Sequence, residues 1–207
     1  LPFGEPEPKE DTNVSAFLAD IKFKQLPSRY QKAIAQAVTL FHFLKKKEDV
    51  SFAPIFTPLL GPLDEAARGM ILRNMQDVVP AKRDKQYEFF HPDLSELPTG
   101  EANFHQRQAK NLERTLVDKN GLMPIGLLRW ILDYSKSTRR KISGVFEAVR
   151  IQLADVSQTD LVSVLDSIYN FRNEYIAHQD RELSDIELAG RSLKEWANGL
   201  YKIWTCR

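Results

Sequence analysis

An all-α fold, a multi-helix up-and-down bundle with an N-terminal helical extension, follows from three observations. Apolar residues recur at three- and four-residue steps in one stretch after another. Ser, Thr, Pro, Asn and Gly fall where helices begin and end. No stretch alternates apolar and polar residues with the two-residue period of a half-buried strand. The 207 residues suffice for one sizeable core. A formal net charge of +1 neither demands nor excludes a nucleic-acid partner, so such a partner requires a local basic patch. The single cysteine, Cys206, excludes an internal disulfide and a multi-cysteine zinc site, and it fits a reducing, cytoplasmic compartment. No apolar run approaches the roughly 18 residues needed to span a bilayer, so no membrane partner is expected.

Residues 1–25, opening "LPFGEPEPKED", combine Pro, Glu and Lys with little apolar content and read as an extended arm or linker. They lack the basic and apolar regions of a signal peptide, and the expectation is that further domains lie upstream in the full-length protein. Residues 26–100 form an N-terminal helical region with long proline-rich loops. In "LPSRYQKAIAQAVTLFHFLKKK", Pro27 and Ser28 mark a helix start. Ile34, Ala37, Val38, Phe41 and Leu44 then share one face, and Lys45, Lys46 and Lys47 suit the negative end of the helix dipole. "SFAPIFTPLLGP", with three prolines and a glycine, is expected to be an ordered apolar loop. "LDEAARGMILRNMQDVV" is a second helix, and "VPAKRDKQYEFFHPDLSELPTGE" a long connection or insertion.

Residues 101–207 form a helical bundle. "ANFHQRQAKNLERTLVDKNG" is a helix closed by Asn120-Gly121, and "MPIGLLRWILDYS" a short one with Pro124 in its first turn. "STRRKISGVFEAVRIQLADV" starts on Ser/Thr caps and carries Ile142, Val145, Phe146, Val149 and Leu153 on one face. "LSDIELAGRSLKEWANGLYKIW" ends the chain, with Ser184 and Glu187 spaced as a capping box.

The functional question lies in the helix before it, "SQTDLVSVLDSIYNFRNEYIAHQD". At about 100° per residue, Leu161, Val164, Leu165, Ile168, Phe171, Tyr175 and Ile176 fall in one arc about 120° wide. Arg172 stands near the middle of that arc. A guanidinium cannot deprotonate to escape burial, so Arg172 needs a carboxylate, backbone carbonyls, a ligand anion or a second subunit. Within the chain, Asp166 and Glu187 are the candidate carboxylates. His178 falls on the edge of the same arc. A group titrating near neutrality beside a permanent cation is the minimum kit for phosphodiester cleavage without a metal. In a straight α-helix six residues separate the two by about 120° and about 9 Å along the axis, too far to grip one phosphate. Either the helix changes between them, or two copies meet across a two-fold axis.

The run Arg172-Asn173-Glu174-Tyr175-Ile176-Ala177-His178 resembles the Arg-x(4–6)-His motif of the HEPN superfamily, with Asn173 as the polar residue commonly found after the arginine. The likeness covers roughly residues 101–207. It implies a HEPN-like bundle of four or five helices that dimerises. It also implies a metal-independent endoribonuclease with a composite site, of the kind found in toxin–antitoxin modules and other defence proteins. Arg172, His178 and Asn173 would be its catalytic residues, RNA its substrate and a homodimer its assembly, with no cofactor and no metal. Some HEPN toxins carry a tyrosine two positions after the histidine; Asp180 stands there, so the likeness does not extend to regulation through such a tyrosine. The alternative is a non-catalytic helical module that mediates dimerisation or RNA or protein recognition for a larger protein. Arg139, Arg140 and Lys141 in "STRRK" form the best local basic patch for an RNA backbone, the other and readier reading being charged residues at a helix start. Trp130 and Tyr134 nearby either stack bases or fill the core.

Overall fold

The computed structural model describes residues 23–118, 123–136, 142–177 and 181–206. These residues contain helices and no strand, so the fold is an all-α multi-helix bundle. In chain order the helices are α1 (Ser28–Leu44), α2 (Thr57–Met75), α3 (Arg83–Phe90), α4 (Thr99–Leu116), α5 (Ile125–Lys136), α6 (Val145–Gln152), α7 (Ala154–Ser157), α8 (Leu161–Arg172) and α9 (Ile186–Thr205). A π-helical turn, Asn173–Ala177, continues α8. The arm of residues 1–25 lies outside the described residues up to position 22, and Phe23–Gln25 form a 3₁₀ turn. The Asn120-Gly121 cap also lies outside them.

The centre of the bundle is α2, which packs against α1, α4, α5, α6 and α9. Its buried residues Leu59, Leu63, Ala66, Ala67, Met70, Ile71 and Met75 recur at three- and four-residue steps, and its two core alanines let neighbouring helices approach. The expected loop "SFAPIFTPLLGP" is instead a 3₁₀ turn (Ala53–Phe56) running into the first turns of α2. Pro58 sits at the helix start, where a missing N–H costs nothing, and Pro62 inside the helix forfeits a single backbone bond. Burial of Ile55, Phe56, Leu59 and Leu63 offsets that loss, at roughly 1.5–3 kcal/mol for each large side chain. The long connection likewise contains α3, which packs on α4.

The last helix, α9, lies against α1, α2 and α8. A side chain at Gly199 would come within 2.4 Å of Ile168 Cδ1, so the missing Cβ sets the close approach of α9 to α8. Its N-cap is Asp185 rather than Ser184: one carboxylate oxygen accepts the N–H groups of Glu187 at 2.8 Å and Leu188 at 3.0 Å. A carboxylate there gains from the helix dipole as well as from the two bonds. At the other end Arg73 of α2 donates to the carbonyls of Trp204 at 3.0 Å and Cys206 at 3.2 Å and lies over the Trp204 ring. One buried cluster runs from Leu26 to Ile203.

Helix α6 begins at Val145, later than the Ser/Thr caps suggested, because Gly144 turns the chain at φ 65. Trp130 and Tyr134 fill the core side of this region. With Phe104 and Phe146 they surround buried His105, at ring-centre distances of 5.3–5.9 Å, and His105 Nδ1 lies 2.9 Å from the Glu101 carbonyl oxygen. No helix of the described residues is long and apolar enough to cross a membrane.

Candidate functional site

Helix α8 presents Leu161, Val162, Leu165, Ile168 and Phe171 to the core. The opposite flank is fixed by charge: Asp166 pairs with Arg129 of α5, whose guanidinium lies 5.3 Å from the Tyr169 ring centre. Asp166 is therefore not the partner of Arg172. Glu187, the other candidate, sits in the first turn of α9.

At the end of α8 four aromatic rings meet. Phe171 packs on Phe56 at 4.8 Å, on Tyr175 at 4.9 Å and on Trp196 at 6.2 Å between ring centres, and Phe56 packs on Trp196 at 4.9 Å. Phe56 leads directly into α2, so this stack clamps the start of the central helix to the end of α8. Arg172 follows Phe171 and is half-buried, as its place in the apolar arc required. The carboxyl of Asp64 of α2 lies near enough to feel the Arg172 charge. Asp64 also accepts the Ile125 backbone N–H, one of the donors that the start of α5 leaves unpaired. Burial pushes the Asp64 carboxyl above its usual range, and the Arg172 charge and the Ile125 N–H only partly oppose that rise. Among the described residues no carboxylate lies within ion-pair distance of Arg172.

Immediately after Arg172 the backbone widens into the π-helical turn Asn173–Ala177. The Asn173 N–H is shared between the carbonyls of Tyr169 and Asn170. Single π-turns inside α-helices gather at functional sites, because the wider turn re-aims the side chains beyond it. Further on, Arg181 returns to the turn, its guanidinium 2.8 Å from the Glu174 carboxylate and its N–H on the Glu174 carbonyl at 3.3 Å. Leu183 accepts the Phe52 N–H at 2.7 Å, tying this segment to the approach to α2.

A cavity of about 570 Å³ opens beside the turn, bordered by Ser51, Pro54, Thr57, Tyr175, Arg181 and Glu182 among others. Of the residues expected to act, Arg172 and Asn173 stand together at the junction of α8 and the π-turn. His178 lies outside the described residues, as do Arg139, Arg140 and Lys141. Sequence reading missed Asp64 because nothing in "LDEAARGM" marks it; only the packing of α2 brings it to Arg172. Among the described residues no group of three or more His, Cys, Asp or Glu side chains has the arrangement of a metal site.

Fold and site thus define an all-α bundle with a half-buried arginine at a helix-to-π junction. Compared with known proteins, the chain matches no family model, no curated protein and no solved structure.

Proposed function

We propose that the chain is a metal-independent endoribonuclease acting at a composite, dimeric Arg/His site. The ribose 2′-OH attacks phosphorus and the bond to the 5′-oxygen breaks, leaving a 2′,3′-cyclic phosphate and a 5′-hydroxyl. His178 moves the proton, either from the 2′-OH or to the leaving oxygen. Arg172 binds the scissile phosphate and stabilises its added charge in the transition state. Asn173 orients the phosphate by hydrogen bonding.

The observation that carries this reading is the end of α8. There α-helical geometry gives way to a π-turn directly after the half-buried Arg172, a local departure that gathers at functional sites. Arg172 is half-buried in the apolar arc, and no described carboxylate lies within ion-pair distance of it. Incubation with single-stranded RNA and with DNA of the same sequence, in EDTA, tests the proposal. Cleavage of RNA alone, with cyclic phosphate ends, is the expected result; a requirement for Mg²⁺ or equal cleavage of DNA would refute it.

A second reading, a non-catalytic helical module, draws on Asp64. An internal carboxylate near Arg172 gives that arginine a structural use in the absence of substrate. In that case Arg172→Ala costs stability and RNA is left intact. Both readings carry homodimerisation, which sedimentation of the purified chain measures.

A further inference from the structure

The cavity beside the π-turn has its own chemistry. At about 570 Å³ it falls within the ~300–1,000 Å³ range of small-molecule sites. One wall is Tyr175, half-buried and packed on Phe171, which is itself braced by Phe56 and Trp196. Trp196 is fully buried, so this stack is anchored in the core. Pro54 and Ile176 add apolar surface beside the ring. A rigid, flat aromatic wall backed by the core suits a planar ligand, because little side-chain freedom is lost when the ligand stacks on it. The polar residues that line the cavity are Ser51, Thr57, Arg181 and Glu182, of which Arg181 and Glu182 carry charge. Arg181 is held by Glu174 at 2.8 Å, which leaves other donors of its five-donor fork free for a phosphate oxygen.

A carboxylate accepts hydrogen bonds and donates none when ionised. It therefore favours a base edge with adjacent N–H donors and repels one that offers lone pairs. Guanine presents two neighbouring donors, N1–H and the N2 amine, on its Watson–Crick edge. Adenine, cytosine and uracil each place at least one acceptor beside their single donor group. Single-stranded RNA exposes that edge, and it is there that proteins read RNA sequence.

We propose that the cavity seats a guanine base of single-stranded RNA, stacked on Tyr175 and read by Glu182, with Arg181 on its phosphate. The proposal rests on the ribonuclease reading and deepens it by naming the base beside the cut.

Calorimetric titration of the whole chain with guanosine, adenosine, cytidine and uridine 5′-monophosphates tests it without any cleavage. The guanine nucleotide is expected to bind at least ~10-fold tighter than the other three, in line with one bidentate base contact. Glu182→Gln, a change at an exposed site, is expected to bring all four within ~2-fold of one another. Tyr175→Ala should weaken every nucleotide by ~10-fold or more while Tyr175→Phe keeps the affinity, the stacking face being shared by both rings. Equal affinity for the four nucleotides, no binding of any of them, or a guanine preference that survives Glu182→Gln would each overturn the proposal. Mapping the ends of cleaved RNA separates the two ideas. Guanine-selective binding without cleavage upholds the cavity and removes the nuclease; cleavage indifferent to guanosine does the reverse.

Discussion

Asp64 of α2 feels the charge of Arg172 at the end of α8, and the same carboxylate accepts the Ile125 N–H at the start of α5. Three helices distant in sequence thus share one half-buried carboxyl group. Its proton affinity is raised, which means that burial outweighs both the cation and the hydrogen bond.

The raised proton affinity fixes a pH dependence. A carboxyl that holds its proton more tightly in the folded state stabilises the fold below its unfolded value and loses that contribution as pH rises through its folded value. Asp64→Asn keeps an acceptor for Ile125 and removes the charge. The variant is expected to melt at or above the wild-type temperature near neutral pH, and the difference should vanish below about pH 3.9, the ordinary aspartate value. Melting curves across that range check it; a variant less stable at neutral pH would show that the charged form is the one the fold prefers.

Arg172 in turn lowers the Asp64 value, so Arg172→Ala should raise it further. A carbon-detected NMR titration of the Asp64 carboxyl reads this directly. An unchanged value would mean that the two groups do not feel each other in solution.

Arg73 closes the last helix by donating to the carbonyls of Trp204 and Cys206 while covering the Trp204 ring. Arg73→Ala should cost about 0.5–1.5 kcal/mol, since two solvent-exposed carbonyls lose a charged donor but can turn to water. Arg73→Lys should restore little, because an ammonium group cannot reach two carbonyls as a planar fork does. Denaturant unfolding of the two variants measures both.

Two glycines should respond to alanine with opposite signs. At Gly144, φ is 65 and a Cβ would lie 2.4 Å from the Phe89 carbonyl oxygen, so Gly144→Ala should destabilise by about 2–4 kcal/mol. At Gly61, an exposed position in α2 with nothing near a new Cβ, Gly61→Ala should stabilise by about 0.5–1 kcal/mol. Paired equilibrium unfolding curves decide between these signs and equal effects.

Helix period carried most of the fold. The faces of α1 and α8 were legible because Ile34, Val38 and Phe41, or Leu161, Leu165 and Ile168, repeat with the helical turn and are buried. The start of α2 was not, because Pro58, Gly61 and Pro62 speak locally for a loop, and only burial across the bundle centre overrides them. Asp185 supplanted Ser184 as the α9 cap through a shift of one residue that spacing alone does not resolve. For the site, the inward place of Arg172 could be read from the apolar arc. Its nearby carboxylate could not, since Asp64 reaches it through tertiary packing. Nor could the π-turn Asn173–Ala177, which no single residue type encodes.

The central claim, that Arg172 and His178 cut RNA without a metal, is tested most directly by the cleavage rate of a labelled single-stranded RNA in EDTA. Wild type, Arg172→Ala and His178→Ala should be compared at matched folding. A loss of ~100-fold or more in each variant, with melting temperature held, is the predicted result. Full activity in His178→Ala, or no cleavage by the wild-type protein, would contradict the account.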